Sequence, residues 1–443
     1  MQIAVILAGG KGTRLAERLN GLPKPLISVD GIPLLQRQIQ SLKSYGFDHI
    51  CVLVNHKAEY IVDFCKKHNN FDITLTIIND GEPRGTGGAT LAALPQFPKG
   101  AEDILIIYGD TLFNIDFHRL LEFHKKHSGA GTIFLHPNDH PHDSDLIEID
   151  TLQRVQKIHP YPHPQDIELS NLVNAACYVI RKQYLMRWRF LIEAKPPFIL
   201  DFAKHLFPMM IEGGGTFYGY SSPEYIKDIG TPERLDRAST DIASGRFDAG
   251  TLQKKQRGVF LDRDGVINKE VGFLSRREQM ELLPGVAKAI RQLNQSGVLC
   301  VVVTNQPVIA RGECTEEELG SIHARMDSLL GKEGAYIDRL YYCPHHPDKG
   351  FTGERPELKI SCQCRKPNTG MLEQACKDLN IDRTQSWLVG DQTGDILAAQ
   401  RMGIHSILVQ TGKAGTDAKY SVSPDYQAKD LLDAVDIILH QHK

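Results

Sequence analysis

The chain has little net charge: 51 Lys and Arg against 54 Asp and Glu leave −3. That near-balance argues against nucleic acid or an anionic membrane as a bulk electrostatic partner. No apolar leader is expected either. The N-terminal run Ile3 to Ala8 is far too short for a signal-peptide core or a membrane span, and Gly9 and Gly10 end it. A cytoplasmic location is expected. No tandem repeat of short period is visible. Nine cysteines in 443 residues are not a disulfide framework. Cys51, Cys65, Cys177, Cys300 and Cys376 sit singly in apolar or helical contexts and read as small buried hydrophobes; Cys314 is also isolated.

What is present is the mix of a soluble globular protein, 41% apolar and 24% charged, at a length that suggests two domains. Short apolar runs alternate with amphipathic stretches, so the expected class is α/β: two domains, each a mainly parallel doubly wound sheet. Ile3–Leu7, His49–Val54, Ile73–Ile78 and Ile104–Tyr108 are the expected strands of the first. Pro33 opens a helix carrying Leu35, Ile39 and Leu42 on one face, with Gly46 just past its end. Gly258–Leu261, Val298–Val303 and Ser386–Val389 are the expected strands of the second. Pro284–Gln295 reads as a helix stopped by Gly297, and Thr315 with Glu318 as a capping box. The polar stretch 239–256 reads as a linker between domains at 1–238 and 257–443.

In the first half, strand Ile3–Leu7 runs into Ala8-Gly9-Gly10-Lys11-Gly12-Thr13-Arg14-Leu15. Glycines after a strand let backbone N–H groups close on a phosphate chain, and Lys11 and Arg14 supply cations for it. Alone this is weak, because a tight strand–helix turn needs glycine as well, and the spacing is neither the dinucleotide fingerprint nor the P-loop. Its company strengthens it: Pro23-Lys24-Pro25, a second glycine-rich loop from Glu82 to Ala89 that includes Gly87, Tyr108-Gly109-Asp110 at a strand end, and Asp228-Ile229-Gly230-Thr231-Pro232.

Together these motifs resemble the sugar-phosphate nucleotidylyltransferases over residues 1–236, and look most like the heptose 1-phosphate guanylyltransferases. The resemblance implies that Arg14 and Lys24 stabilise charge at the α-phosphate and that Asp110 and Asp228 hold Mg²⁺. It also implies that Gly9, Gly10, Gly12, Glu82 and Gly87 line the nucleotide, and that Lys157 and Asn174 contact the sugar phosphate. Taken singly, Lys157 and Asn174 read equally well as solvated surface. Where the family has glycine two positions after the asparagine, this chain has Ala176. The chemistry implied is in-line attack of a sugar 1-phosphate on the nucleotide α-phosphorus, which needs positioning and charge neutralisation more than covalent help.

In the second half, strand Val259–Leu261 ends in Asp262-Arg263-Asp264-Gly265, so two carboxylates project from a strand's carboxyl end. Thr304-Asn305, Arg365-Lys366-Pro367 and Gly390-Asp391-Gln392-Thr393-Gly394-Asp395 follow in order. This is the full motif set of the haloacid dehalogenase-type phosphatases. The resemblance makes Asp262 the nucleophile that forms an aspartyl-phosphate and Asp264 the general acid and base. Thr304 and Lys366 bind the transferring phosphoryl. Mg²⁺ is held by Asp262, the main chain of Asp264 and Asp391, with Asp395 supporting that shell.

Cys343-Pro344-His345-His346 and Cys362-Gln363-Cys364 place three thiols and an imidazole at the spacing of a closed structural Zn²⁺ site spanning 343–364. His346 competes with His345, and spacing does not choose between them; His345 is preferred. This version resembles the heptose bisphosphate phosphatases and their histidinol-phosphate relatives. Asn305, Arg311 and Arg365 then become candidate substrate contacts, the two arginines for a distal phosphate. Pro307-Val308 replaces the family's Ser-Gly.

A phosphatase that leaves a sugar 1-phosphate feeds a nucleotidylyltransferase, so the joined expectation is GDP-heptose synthesis from small-molecule substrates, with no nucleic acid or membrane partner. Two rivals are a mannose 1-phosphate guanylyltransferase fused to a histidinol-phosphate phosphatase, and a catalytically dead sugar-phosphate sensor.

Overall fold

The computed structural model describes residues 2–164, 167–193 and 199–441. They fall into two compact units, the first from within 1–136, 145–162 and 172–251, the second from within 137–144, 163–171 and 252–443. The second unit therefore includes two short excursions from the first half of the sequence. Residues 239–256, expected as a linker, carry the end of the helix Pro232–Ala243 and the helix Arg246–Ala249. The buried Asp241 carboxylate, which accepts from Tyr225 Oη and Lys227 Nζ at 2.9 Å each, ties this segment to the first unit.

In the first unit Ile3–Leu7 lies inside a nine-stranded sheet, parallel to His49–Val54 on one side and Asp103–Tyr108 on the other. Thr74–Asn79 extends the parallel part. Beyond Asp103–Tyr108 the sheet turns: Val173–Arg181 pairs with it antiparallel. The sheet is thus parallel through the four strands expected from apolar runs and mixed on its far side. Ile3–Leu7 has neighbours reached by crossovers to both sides, and the crevice at its carboxyl end is where such sheets bind ligands. The helix Leu34–Ser44 covers one face with Leu35, Ile39 and Leu42, and Gly46 follows with φ +80°.

The second unit is built on six parallel strands, in the order Arg339–Cys343, Leu299–Asn305, Gly258–Leu261, Trp387–Gly390, His405–Val409, Tyr426–Ala428. Gly258–Leu261 is again flanked on both sides, which places its carboxyl end at a second switch point. The helix expected from Pro284 begins at Val286, because Gly285 at φ +81° occupies the cap position. Thr315 and Glu318 close a reciprocal capping box, Thr315 N–H to Glu318 at 2.7 Å and Glu318 N–H to Thr315 Oγ1 at 3.1 Å. Among the described residues no helix is long and apolar enough to cross a membrane.

Candidate active sites

At the switch point of the first sheet lies a cavity of about 390 Å³ lined by Gly9, Gly10, Lys11, Lys24, Asn55, Asp80, Arg84, Thr86 and Asp110, among others. Gly12 has φ +64°, and a Cβ there would stand 3.0 Å from both Leu19 and Lys24. Its lack of a side chain lets the Lys24 stem pack beneath the loop. Lys24, itself buried, reaches the Asp110 carboxylate at 2.6 Å. Asp110 follows strand Asp103–Tyr108. The short strands Thr111–Asn114 and Tyr225–Asp228 pair antiparallel with Asp228 opposite Thr111, and Ile229 N–H donates to Asp110 O at 2.7 Å. The main chain at Asp228 is thereby brought beside that at Asp110, far apart in sequence, although Asp228 itself is not in the cavity lining.

Asp228 is held by Arg234, whose Nη1 lies 2.7 and 2.6 Å from its two oxygens. A Cβ on Gly230 would sit 2.8 Å from Asp228 Oδ2 and 3.4 Å from Arg14 Nη2, so Arg14 belongs to this corner although it does not line the cavity. Carboxylates beside an open phosphate cradle are the donor set a hard divalent cation takes.

Glu82 and Gly87 are outside the cavity lining. Glu82 approaches Arg84 at 3.6 Å, and a Cβ on Gly87 would press Leu206 and the Leu200 carbonyl, so this glycine is required by packing. Thr86 pins the loop, donating to Asp201 at 2.9 Å and accepting from Tyr108 Oη at 3.0 Å. Lys157 is exposed on Val155–His159, the last strand in the sheet order, and it does not line the cavity. Nor does Asn174, whose Oδ1 accepts from Ala176 N at 3.2 Å; Ala176 has φ +55°. That left-handed backbone is why glycine suits the position. Sequence reasoning missed Asn55 and Asp80, whose side chains bond at 2.6 Å in the cavity. Burial raises the Asp80 carboxyl above its usual range. The signal was available, since each follows directly on a parallel strand.

At the second switch point a cavity of about 410 Å³ contains Asp262, Asp264, Thr304, Asn305, Lys366 and Asp395. Lys366 Nζ lies 3.0 Å from Asp262 and 2.6 Å from Asp395. The Lys366 main chain is clamped by Asn305, which accepts its N–H at 3.0 Å and donates to its carbonyl at 3.1 Å. Thr304 Oγ1 accepts from Gln306 at 2.8 Å.

Asp262, Asp391 and Asp395 have carboxylate oxygens all within 4.8 Å of one another. Burial, opposed by Lys366, pushes Asp262 up to about 7; burial with the charges of Asp262 and Asp395 pushes Asp391 up to about 8. Asp391 Oδ2 accepts from Lys413 N–H at 2.7 Å, whereas its buried Oδ1 has no partner. Side chains at Gly265 (φ +81°) or Gly412 (φ +62°) would strike this carboxylate. Three buried acids around one lysine, with an orphaned oxygen, fit a hard divalent cation. The Asp264 carboxylate is otherwise engaged: it accepts from Arg263 at 3.0 and 2.9 Å, Asn268 at 2.9 Å and Gln306 at 2.9 Å. Against the upward push of burial these contacts, Arg263 foremost, hold it below the usual carboxylate range. Only its main-chain carbonyl is left for a cation. Arg263 is fully buried and also meets His323 Nε2 at 3.2 Å, a support the motif alone did not disclose.

A family model described as nucleotidyl transferase matches residues 3–245, more than half of the chain, and a HAD-hydrolase-like model matches 363–434. The chain is 42% identical over 182 residues to the D-glycero-β-D-manno-heptose-1,7-bisphosphate 7-phosphatase of Haemophilus ducreyi, covering 41% of this chain and 97% of that protein. The chain belongs to both families. The corresponding phosphatase of Yersinia pestis is 40% identical over 186 residues, 42% of this chain and 96% of that protein. Among solved structures, HddC from Yersinia pseudotuberculosis covers 55% of this chain and 100% of its own at 27% identity and a TM-score of 0.46.

In the phosphatase unit Cys343, His345, Cys362 and Cys364 converge. Cys364 Sγ is 3.2 Å from Cys343 Sγ, Cys362 Sγ and His345 Nδ1, and Cys343 Sγ is 3.5 Å from Cys362 Sγ and 3.7 Å from His345 Nδ1. Tetrahedral zinc with S and N ligands has edges of about 3.5–3.8 Å, close to these. His346 points elsewhere and lines the phosphatase cavity, as does Arg365. Arg311, expected at a distal phosphate, does not. Its guanidinium lies over Phe273 at 3.8 Å and Phe351 at 4.2 Å, and it pairs with Glu313 at 2.7 Å. It joins two loops by stacking. Pro307 and Val308 do face the cavity.

Proposed function

We propose that the chain hydrolyses the 7-phosphate of D-glycero-D-manno-heptose 1,7-bisphosphate through an aspartyl-phosphate on Asp262, and transfers a nucleotidyl group, with GTP favoured, to heptose 1-phosphate. The observation that carries the reading is the Asp262–Lys366–Asp391–Asp395 cluster at the central strand end, in a unit 42% identical to a heptose bisphosphate phosphatase across 97% of that protein. The two activities joined in one chain then share a sugar phosphate.

Asp262 attacks phosphorus as its carboxylate, and Lys366 stabilises that ionised form while facing the phosphoryl oxygens. Asn305 positions Lys366 through its main chain. Contacts to Asp264 favour the carboxylate, the form that activates water in the second half-reaction; the acid role in the first requires it to gain a proton against them. In the other unit Lys24 and Arg14 neutralise the α-phosphate, and the open glycine loop orients the triphosphate. Mg²⁺ is assigned to Asp262, the Asp264 main-chain carbonyl and Asp391, with Asp395 supporting them, in one site and to Asp110 and Asp228 in the other, where it would supply charge neutralisation of phosphate oxygens. Zn²⁺ is assigned to Cys343, His345, Cys362 and Cys364, pinning a polar loop that lacks its own core. The nucleoside triphosphate substrate and nine unbridged cysteines support a cytoplasmic setting.

A substrate panel tests the reading: heptose bisphosphate against histidinol phosphate for phosphate release, and GTP, ATP, CTP and UTP with heptose 1-phosphate for pyrophosphate release. Preference for histidinol phosphate would overturn the phosphatase assignment, and preference for another base would overturn the guanylyl assignment.

A further inference from the structure

Behind the phosphatase cavity stand two side chains that do not line it, Arg263 and His323. Arg263 turns the two ends of its guanidinium in different directions. Nη2 donates to both Asp264 oxygens, at 3.0 and 2.9 Å, and to Gln306 Oε1 at 3.1 Å. Nη1 lies 3.2 Å from Nε2 of His323, on the helix Glu316–Lys332. A guanidinium only donates, so Nε2 presents its lone pair and the ring hydrogen sits on Nδ1. The imidazole is therefore neutral. Burial, with the charge of Arg263, keeps it so by pushing His323 down to about 3. Arg263 is fully buried, and its Nε has no partner among the described residues. His323 is thus the acceptor that holds the far end of the guanidinium.

In the first half-reaction Asp262 forms its bond to phosphorus as the bond from phosphorus to the sugar oxygen breaks. The proton of the Asp264 carboxyl passes to that oxygen, which leaves as a hydroxyl. Negative charge then grows on Asp264, where a cation already aimed at both oxygens stabilises the transition state more than the ground state. We propose that His323 is a positioning residue for this step: by accepting from Arg263 Nη1 it keeps Nη2 on Asp264. Without an acceptor at position 323 a buried N–H is left unpaired, and the guanidinium turns from Asp264 to recover a partner. The inference rests on the acid role proposed above for Asp264.

Single turnover with enzyme in excess isolates the bond-breaking step. It is read as heptose 1-phosphate formed from the 1,7-bisphosphate and as p-nitrophenolate released from p-nitrophenyl phosphate. The sugar oxygen needs the proton, whereas p-nitrophenolate leaves without one. A hydrogen bond to a charged group corresponds to roughly a 10- to 100-fold effect. His323→Leu should therefore slow heptose 1-phosphate formation by about that factor, with p-nitrophenolate release near the wild-type rate. His323→Gln, whose side-chain oxygen accepts as Nε2 does, should restore most of the lost rate. Arg263→Lys should show the same selective loss. Adding His323→Leu to it should slow the step no further, because His323 acts through Arg263. Equal slowing of both substrates by His323→Leu, no slowing of either, glutamine as slow as leucine, or an additive loss in the double variant would each overturn the inference. Asp264→Asn separates this inference from the reading beneath it. If that variant slows both substrates equally, the acid role fails and the inference with it; if it is selective where His323→Leu is not, the inference alone fails.

Discussion

Replacing Lys366 by Met removes the cation that stands between Asp262 at 3.0 Å and Asp395 at 2.6 Å, all three side chains being buried at the floor of the cavity. Methionine keeps the length of the stem, so packing changes little. At an effective dielectric near 20, Coulomb's law gives about 5–6 kcal/mol for each contact, before the cost of burying the ammonium is subtracted. Removing one member of a buried pair typically costs about 3–5 kcal/mol net. For a unit of this size that corresponds to a fall in Tm of about 6–20 °C. The deficit must depend on pH. Burial already lifts Asp262 to about 7 and Asp391 to about 8, above their unfolded range near 4. Groups raised in this way lose native stability as pH climbs from the unfolded value through the folded one. Without Lys366 that loss deepens. Calorimetry in EDTA should therefore show a large deficit at pH 8 that shrinks towards pH 5, where Asp262 and Asp391 are neutral. Phosphate release should fall at least about 100-fold, in line with loss of a preorganised cation. An equal deficit at both pH values would refute the electrostatic reasoning and point to packing.

Mg²⁺ binding should release protons near pH 7, because Asp262 and Asp391 must ionise to ligate, and affinity should weaken as pH falls below that value. Titration calorimetry in buffers of different ionisation enthalpy reads this directly; buffer-independent heats would contradict it. Cys362→Ser should lose zinc, measured with a chromogenic chelator, and expose 347–361 to protease, with phosphatase activity falling as the neighbouring Arg365–Lys366 segment loosens. Wild-type protein purified without zinc would contradict that. Asp110→Asn, which removes the charge facing Lys24 at 2.6 Å, should lower pyrophosphate release by about 100-fold or more while phosphate release continues. Equal loss of both activities would indicate misfolding instead.

The catalytic strand ends were legible in the sequence because burial makes parallel strands read as continuous apolar runs, and the polar residues that terminate them stand out. Ile3–Leu7 with Gly9 to Arg14, and Gly258–Leu261 with Asp262, announced themselves in that way. The antiparallel side of the first sheet did not, since its strands pair with partners distant in the chain. The same strand-end rule was applied to Asp110 and Asp262 but not to Asn55 and Asp80, although each stands directly after a parallel strand and Gly81 follows Asp80. Arg311 differs for another reason: a cation in a phosphatase motif suggests an anion, whereas the structure lays its guanidinium over Phe273 and Phe351. Ala176 reverses the lesson. The substitution of the family's glycine was visible in sequence, but its meaning required the backbone angle, φ +55°. The excursions 137–144 and 163–171 into the second unit carry no local signal at all.

The central claim is that one chain removes a phosphate and then activates the sugar 1-phosphate that remains. Its most direct test follows inorganic phosphate and pyrophosphate together, from heptose 1,7-bisphosphate and GTP, with wild-type protein and with Asp262→Asn. The wild type should release the two in equal amounts. The variant should release neither from the bisphosphate, yet should yield pyrophosphate at the wild-type rate when given heptose 1-phosphate. Pyrophosphate released by the variant directly from the bisphosphate, or phosphate release that survives the substitution, would contradict the account.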